Sequence, residues 1–320
     1  MASQHKPVLL YDYSLCYCPR HFKTLDSSRQ IRFKTDASRQ LCGVGGTSVE
    51  TRMKVLEQST MKTIVFCLLA ASALAAPSQK LTFRRGLNRI FGGQEATPGQ
   101  FPYQLSFQDT TYGENFYICG ASIYNQNWAI TAGHCVQGTD MDKPDYLQVV
   151  AGDHDMDNDD GTEQKIILSK IIRHEDYGIY EMSNDISLLR LSKPLIFNDY
   201  VAPISLQTAK GYLGDCVVSG WGTKEGGQTP SRLQYVEIPT MTDTQCGDSY
   251  GQDNIGATDI CAGFPEGGKG ACLDDAGGPL VCGGLLTGIM SFSWGCGLPD
   301  APGVYTEVAY YKEWVEAHVQ

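Results

Sequence analysis

The stretch Cys272-Leu-Asp-Asp-Ala-Gly-Gly-Pro-Leu-Val-Cys282 sets two adjacent carboxylates, Asp274 and Asp275, before a Gly-Gly-Pro turn and between two cysteines. Between Asp275 and Gly277 stands Ala276, which has no group to offer a reaction. Two other stretches carry groups suited to acid–base work. One is the imidazole of Thr131-Ala-Gly-His134-Cys135, the other the carboxylate of Asn184-Asp185-Ile186-Ser-Leu-Leu. Acyl transfer through a covalent intermediate needs a hydroxyl, an imidazole that takes its proton and a carboxylate that holds the imidazole's tautomer. Alone, a histidine after an apolar run is more often structural, so each motif carries modest weight until several agree.

The elements that must position these groups read as β-structure from residue 90 onward. Short runs rich in Val, Ile, Leu, Tyr and Phe alternate with Gly, Asp, Asn and Pro turns. The pattern predicts strands at 103–107, 121–124, 146–151, 165–172, 186–191, 216–221, 233–238, 280–282, 286–291 and 303–308. Regular spacing of such strands suggests a sandwich or a barrel. Only the tail reads helical, with Val308, Tyr311, Trp314, Val315 and His318 at i, i+3, i+4 spacing. The acidic run Gly152-Asp-His-Asp-Met-Asp-Asn-Asp-Asp-Gly-Thr-Glu-Gln164 lacks the strict EF-hand spacing. Asp153, Asp155, Asn158 and Glu163 offer hard oxygens for calcium, and a solvated acidic turn explains the same residues equally well.

Charge is unevenly spread over the 320 residues, whose net charge is −11. Residues 1–60 carry 9 Lys/Arg and 5 Asp/Glu, residues 61–89 carry 5 Lys/Arg and no acid, and residues 90–320 carry 11 Lys/Arg against 31 Asp/Glu. Nucleic acid and anionic lipid both repel so acidic a domain, so neither is expected as a partner. Eight of the twelve cysteines lie in 90–320, an even number that suggests four disulfides. No Cys-x-x-Cys pair occurs there, which argues against a zinc site. Residues 1–60 show no sustained period and read as an unstructured extension. Met61-Lys62, an apolar core and Ala73-Leu74-Ala75 make the three parts of a secretory signal peptide over 61–75. The simplest expectation is that Met61 is the initiator and 1–60 a wrongly joined piece. If 1–60 is translated, the apolar run is an internal signal or short anchor. A basic segment, 76–89, then leads into one continuous unit, 90–320.

Taken together, the motifs resemble the trypsin-like serine protease family, in look most of all the crustacean trypsins. That family's nucleophile loop reads Cys-x-Gly-Asp-Ser-Gly-Gly-Pro-Leu, and Asp275, Gly277, Gly278, Pro279 and Leu280 keep their places. The His134 and Asp185 motifs resemble its base and carboxylate motifs. Gly220-Trp221-Gly222 and Ser293-Trp294-Gly295 match two further signatures. Tyr103-Gln-Leu-Ser-Phe, Gly120-Ala-Ser-Ile-Tyr, Pro265-Glu-Gly-Gly-Lys and Pro302-Gly-Val-Tyr-Thr-Glu-Val add to the likeness. The resemblance implies an all-β fold of two packed antiparallel six-stranded barrels with a C-terminal helix. It implies the bridges Cys119–Cys135, Cys216–Cys282, Cys246–Cys261 and Cys272–Cys296. It also implies activation by cleavage between Arg89 and Ile90, whose new ammonium pairs with Asp275; Phe91 is a mild departure. The acidic loop lies where many trypsins bind calcium, and no other cofactor is implied.

Three departures bear on activity. Ala276 replaces the nucleophilic serine. Asp274 replaces a glycine whose N–H, with that of residue 276, binds the oxyanion; its side chain is expected to resist a glycine-only backbone angle and to repel negative charge. Gly270 and Ala271, with Gly295 and Gly303, are expected to line the primary specificity pocket, where Gly270-Ala271 replaces the Asp-Ser that receives Arg or Lys. The reading is a secreted, extracellular, monomeric serine protease homologue without peptidase activity. It would act by binding a protein or peptide partner, as cofactor, decoy or regulator, the partner being an active protease or its substrate; no membrane is involved in the mature form. The alternative is an active digestive endopeptidase if residues 270–276 are misreported. A last expectation is that cleavage draws Asp275 inward and leaves Asp274 free to accept a hydrogen bond from His134.

Overall fold

A computed structural model describes residues 92–113, 115–223, 230–272 and 274–320. The expected extension 1–60, signal peptide 61–75, segment 76–89 and junction Arg89–Ile90 lie outside the described residues.

The described chain begins with a two-residue strand, β1 (Gln94–Glu95). Six strands then close a barrel: β2 (Gln104–Asp109), β3 (Phe116–Asn125), β4 (Trp128–Thr131), β5 (Leu147–Ala151), β6 (Gln164–Arg173) and β7 (Ser187–Leu191). Around this barrel the order is β2-β3-β4-β7-β6-β5, with β5 returning to pair with β2. A second set follows: β8 (Asp215–Gly220), β9 (Gln234–Met241), β10 (Asp259–Ala262), β11 (Pro279–Cys282), β12 (Leu285–Phe292) and β13 (Gly303–Glu307). Here the order is β9-β10-β13-β12-β11-β8, and the β8–β9 pairing closes it. All pairings between these strands are antiparallel, and β1 adds to the edge of β9. The expected architecture of two six-stranded antiparallel barrels is therefore present.

Inward-facing side chains fill each barrel. Leu105, Phe107, Ile123 and Leu189 are fully buried on one face of the first, while Val218, Ala262, Leu280 and Tyr305 are fully buried in the second. In β6 the apolar residues do not keep a strict two-residue period; Ile166 and Leu168 face in, and then Ile171. A bulge between Leu168 and Lys170 absorbs the slip, since one extra residue restores the phase of the pleat.

The four implied disulfides are all formed. Cys119–Cys135 ties β3 to the turn after β4, and Cys216–Cys282 ties β8 to β11. Closing such loops stabilises the fold by about 2–4 kcal/mol each, by restricting the unfolded chain.

Two helices are described, α1 (Asp243–Tyr250) and α2 (Lys312–His318). The second is the expected tail helix, although Val308 sits in a 3-10 turn that precedes it. The first overturns the expectation that only the tail is helical. Its signal was local: Thr242 and Gln245 form a capping box, with the Gln245 N–H donating to Thr242 Oγ1 at 3.3 Å and Thr242 N–H to Gln245 Oε1 at 3.1 Å. Periodicity missed it because its two turns bury only Cys246, Gly247 and Tyr250. Strand β4 was missed as well. Its four residues are all buried and lie between β3 and the His134 turn.

Candidate active site

His134 opens a one-turn 3-10 helix directly after β4, and the Cys119–Cys135 bridge pins that turn to β3. Asp185 lies just before β7, fully buried. Asn184, with φ of 52°, and an Ile186 N–H···O=C Asn184 bond of 2.8 Å make the tight turn that aims Asp185 inward. Its carboxylate accepts three hydrogen bonds: from the His134 backbone N–H at 2.7 Å, from His134 Nδ1 at 2.8 Å and from Ser291 Oγ at 2.6 Å. Thr306 Oγ1 of the second barrel also donates to the Asp185 carbonyl at 2.9 Å. The carboxylate on Nδ1 fixes which imidazole nitrogen holds a proton. Among the described residues the other nitrogen, Nε2, has only a long contact to Cys135 Sγ at 3.7 Å.

Ser291 was not foreseen. The signature Ser293-Trp294-Gly295 drew attention to a serine two residues later, whose hydroxyl instead donates to the Gly295 carbonyl at 3.0 Å. A bulge in β12 between Met290 and Phe292 leaves Ser291 without a partner on β13 and turns it to Asp185. No local pattern marks such a bulge.

The nucleophile loop joins the two barrels beside this pair. The Gly120 N–H of β3 donates to the Ala276 carbonyl at 2.8 Å, while the Gly277 N–H donates to Met290 of β12 at 2.8 Å. A side chain at Gly277 would meet Thr131 Oγ1 at 2.2 Å and Cys135 Sγ at 3.0 Å, and φ there is +74°. Only glycine lets the loop approach this closely. Ala276 is thereby packed against the first barrel beside the His134–Cys135 turn.

Asp274 adopts φ of 73°, so the expected glycine-only angle is present despite its side chain. Its carboxylate is exposed and takes the Thr223 hydroxyl, not His134. The donor expected to be lost is therefore still there: the Asp274 and Ala276 N–H groups form no hydrogen bond among the described residues. Asp275 is buried, accepting from Gly222 N–H and Cys272 N–H, both at 2.8 Å. Burial pushes its carboxyl up to about 7; the two N–H groups oppose the rise and the Asp274 charge adds to it. Its expected partner, Ile90, lies outside the described residues.

The expected pocket residues are only partly brought together. Gly270 and Ala271 are buried, Ala271 sharing a core cluster with Tyr305, whose ring fills the space beside Gly303. Gly270 faces Gly297, whereas the space beside Gly295 holds the Leu298 side chain.

The acidic loop lines a cavity of about 230 Å³ that includes Asp153, Asp155, Asn158 and Glu163. Asp153 is partly buried and held at about 6, by burial first, with Ser106 Oγ donating to it at 3.0 Å and with the Glu163 and Asp160 charges adding. Asp153 and Glu163 share the lining of this cavity. The Asp155 and Asn158 side chains do not fit the expected role of calcium ligands. Asp155 is bonded to Asn158 Nδ2 at 3.0 Å and to Arg232 Nε at 3.2 Å. Burial alone would raise its carboxyl, yet hydrogen bonds from Ser231, Asn158 and Arg232 hold it at about 2. Among the described residues, no three acidic, His or Cys ligand atoms of this loop lie within 4.8 Å of one another.

The family profile described as Trypsin matches residues 90–315. Trypsin-1 of Astacus astacus is 52% identical over 236 residues, 72% of this chain and 99% of that protein. Serine protease 1 of Rattus norvegicus is 36% identical over 259 residues, 80% of this chain and 98% of its own length. Trypsin-2 of Salmo salar is 38% identical over 230 residues, 71% of this chain and 94% of its own. With two antiparallel barrels, a His134–Asp185–Ser291 relay at their junction and these relatives, the chain belongs to the trypsin family of serine proteases.

Proposed function

We propose that this is a secreted trypsin-family protein that does not hydrolyse peptides and acts by binding a protein or peptide partner. The observation that carries the reading is Ala276, a methyl group packed beside a complete His134–Asp185–Ser291 relay. The imidazole is oriented to take a proton, and the residue next to it has none to give. In subtilisin, loss of the nucleophile costs roughly 10⁶-fold in turnover, on the order of 8 kcal/mol of barrier. The missing acid at Gly270 removes the partner of a basic substrate side chain as well. The leader pattern at 61–75 and the four disulfides support an oxidising, extracellular setting. The partner class is an active protease or its substrate, on which the chain works as cofactor, decoy or regulator. Calcium held by Asp153 and Glu163 would steady the acidic loop and take no part in chemistry.

A second reading is an active digestive endopeptidase, favoured by the intact relay and by relatives named trypsin. It requires a hydroxyl at 276. The test is a peptidase assay on protein cleaved after Arg89, with Arg-, Lys- and aromatic-directed peptides and a serine-directed phosphonate, on material whose residue 276 is read by mass spectrometry. No turnover and no label are expected. Turnover with phosphonate labelling would overturn the proposed function.

A further inference from the structure

We infer that the outer face of the first barrel carries a docking surface for an acidic, partly apolar peptide segment of a protein partner, centred on Lys170 and Arg190. The inference rests on the reading that the chain acts by binding a protein partner, and it names the chemistry of that partner's surface.

Charge is segregated on this face. Residues 164–173 and 186–198 contain no Asp or Glu, yet they hold five of the 11 Lys/Arg of residues 90–320, a region with 31 acids. The two runs lie side by side as β6 and β7. Past the end of β7 they stay together, with Ser192 N–H donating to the Ile167 carbonyl at 3.0 Å and Ile196 N–H to Gln164 Oε1 at 2.9 Å. Lys170, Arg190 and Trp128 are direct partners across three strands and so share the outer face, while Ile171, Leu189 and Ala129 share the buried one. The Arg190 guanidinium lies 5.8 Å from the centre of the Trp128 ring, whose face attracts and orients it. Lys170, Arg190 and Lys193 are exposed, and among the described residues their side chains form no ion pair and no hydrogen bond. Like charges directly opposite on paired strands destabilise a sheet, so this pair is relieved best by an anion from outside. Two isoleucines flank the cations, Ile167 at 46% and Ile196 at 72% exposure.

These side chains select among anions. Arg190 presents a planar fork that suits a carboxylate, and Lys170 and Lys193 present point charges. Ile167 and Ile196 need apolar side chains to cover them, which a sulfated polysaccharide lacks. The acidic domain repels long polyanions and anionic membranes as a whole. A short acidic segment feels mainly the nearest cations, because charges beyond about 8 Å are screened at physiological salt. Lys165 bounds the strip on the side of the acidic loop, whose cavity it helps to line. Trp128 and Arg190 pair at one end of β4 and β7, and Thr131 and Ser187, next to the His134 and Asp185 turns, pair at the other. The surface therefore uses none of the relay residues.

The experiment is fluorescence anisotropy with the full-chain protein. The probe is a fluorescein-labelled, C-amidated peptide of repeated Leu-Glu-Glu, and its control carries Gln for every Glu. The acidic peptide should bind at least about tenfold more tightly than the control at about 50 mM salt, and several-fold more weakly at about 300 mM. Lys170→Gln with Arg190→Gln should erase the preference, whereas Lys143→Gln, an exposed cation elsewhere, should keep it. Equal affinities for the two peptides, no binding of either at millimolar concentration, or a preference that survives the double variant would each overturn the inference. So would an equal loss in Lys143→Gln, which would make the attraction unspecific. Tighter binding of a sulfated polysaccharide, lost in the same double variant, would overturn it by assigning the strip to another class of ligand. The substituted side chains are exposed, and an unchanged melting temperature checks that each variant folds. The same preparation is exposed to the serine-directed phosphonate. Labelling strikes the proposed function, while equal affinities without labelling strike this inference alone.

Discussion

Asp275 should make the uncleaved chain less stable as the pH rises. Its buried carboxyl is held at about 7 against an ordinary 3.8. The cause is burial first, with the Cys272 and Gly222 N–H groups opposing and the Asp274 charge adding. In the unfolded chain the group loses its proton near pH 4, about three pH units earlier. Between those values the folded state binds more protons, and stability then falls as pH rises. The loss begins near pH 4 and levels off above about pH 7, and at about 1.4 kcal/mol per pH unit it amounts to about 4 kcal/mol. Asp275→Asn cannot ionise, so it lacks this loss. It keeps one acceptor oxygen for two N–H groups, a defect of about 1 kcal/mol that does not vary with pH. The assay is urea unfolding with intact disulfides, followed by tryptophan fluorescence at about pH 4.5 and about pH 8. Trp221 is fully buried and serves as reporter. Asp153 and Asp259, both raised to about 6 chiefly by burial, give slopes of the same sign in both proteins. The difference between wild type and Asp275→Asn therefore isolates Asp275. If the two show the same pH dependence within about 1 kcal/mol, the assignment is refuted. Cleavage after Arg89 should shrink the loss, since an ammonium paired with Asp275 lowers its pKa.

Ala276→Ser alone should leave activity on Arg and Lys peptides more than about tenfold below a trypsin measured alongside, because Gly270 offers the substrate no carboxylate; rescue to within tenfold would show that Gly270 and Asp274 matter little. Gly222→Ala should destabilise the fold by about 3 kcal/mol or more, since the new methyl would fall 2.3 Å from the Asp275 carboxylate; a melting temperature within about 2 °C of wild type would contradict that packing. Calcium at about a millimolar should raise the melting temperature by mass action, and Glu163→Gln should abolish the rise; no shift in wild type leaves Asp153 and Glu163 as parts of a solvated turn.

Much of this molecule is legible locally. The ten expected strands correspond to ten of those found, because a short run of apolar β-formers between turn residues is a property of neighbours along the chain. The missing nucleophile is a matter of covalent identity, so Ala276 needed no coordinates. Cys119, Cys135 and the other bridge-forming residues could be paired once the family pattern was recognised. Where sequence reasoning failed, the deciding partner lies far along the chain. Arg232, 77 residues from Asp155, takes that carboxylate out of the expected calcium set. Ser291, 106 residues from Asp185, reaches it only because a bulge shifts β12. Thr223 donates to Asp274 across 51 residues. Strand register, bulges and the approach of two barrels are set by packing summed over the whole core. Residue order therefore determined the elements and the lost chemistry, and tertiary structure alone decided which side chains meet.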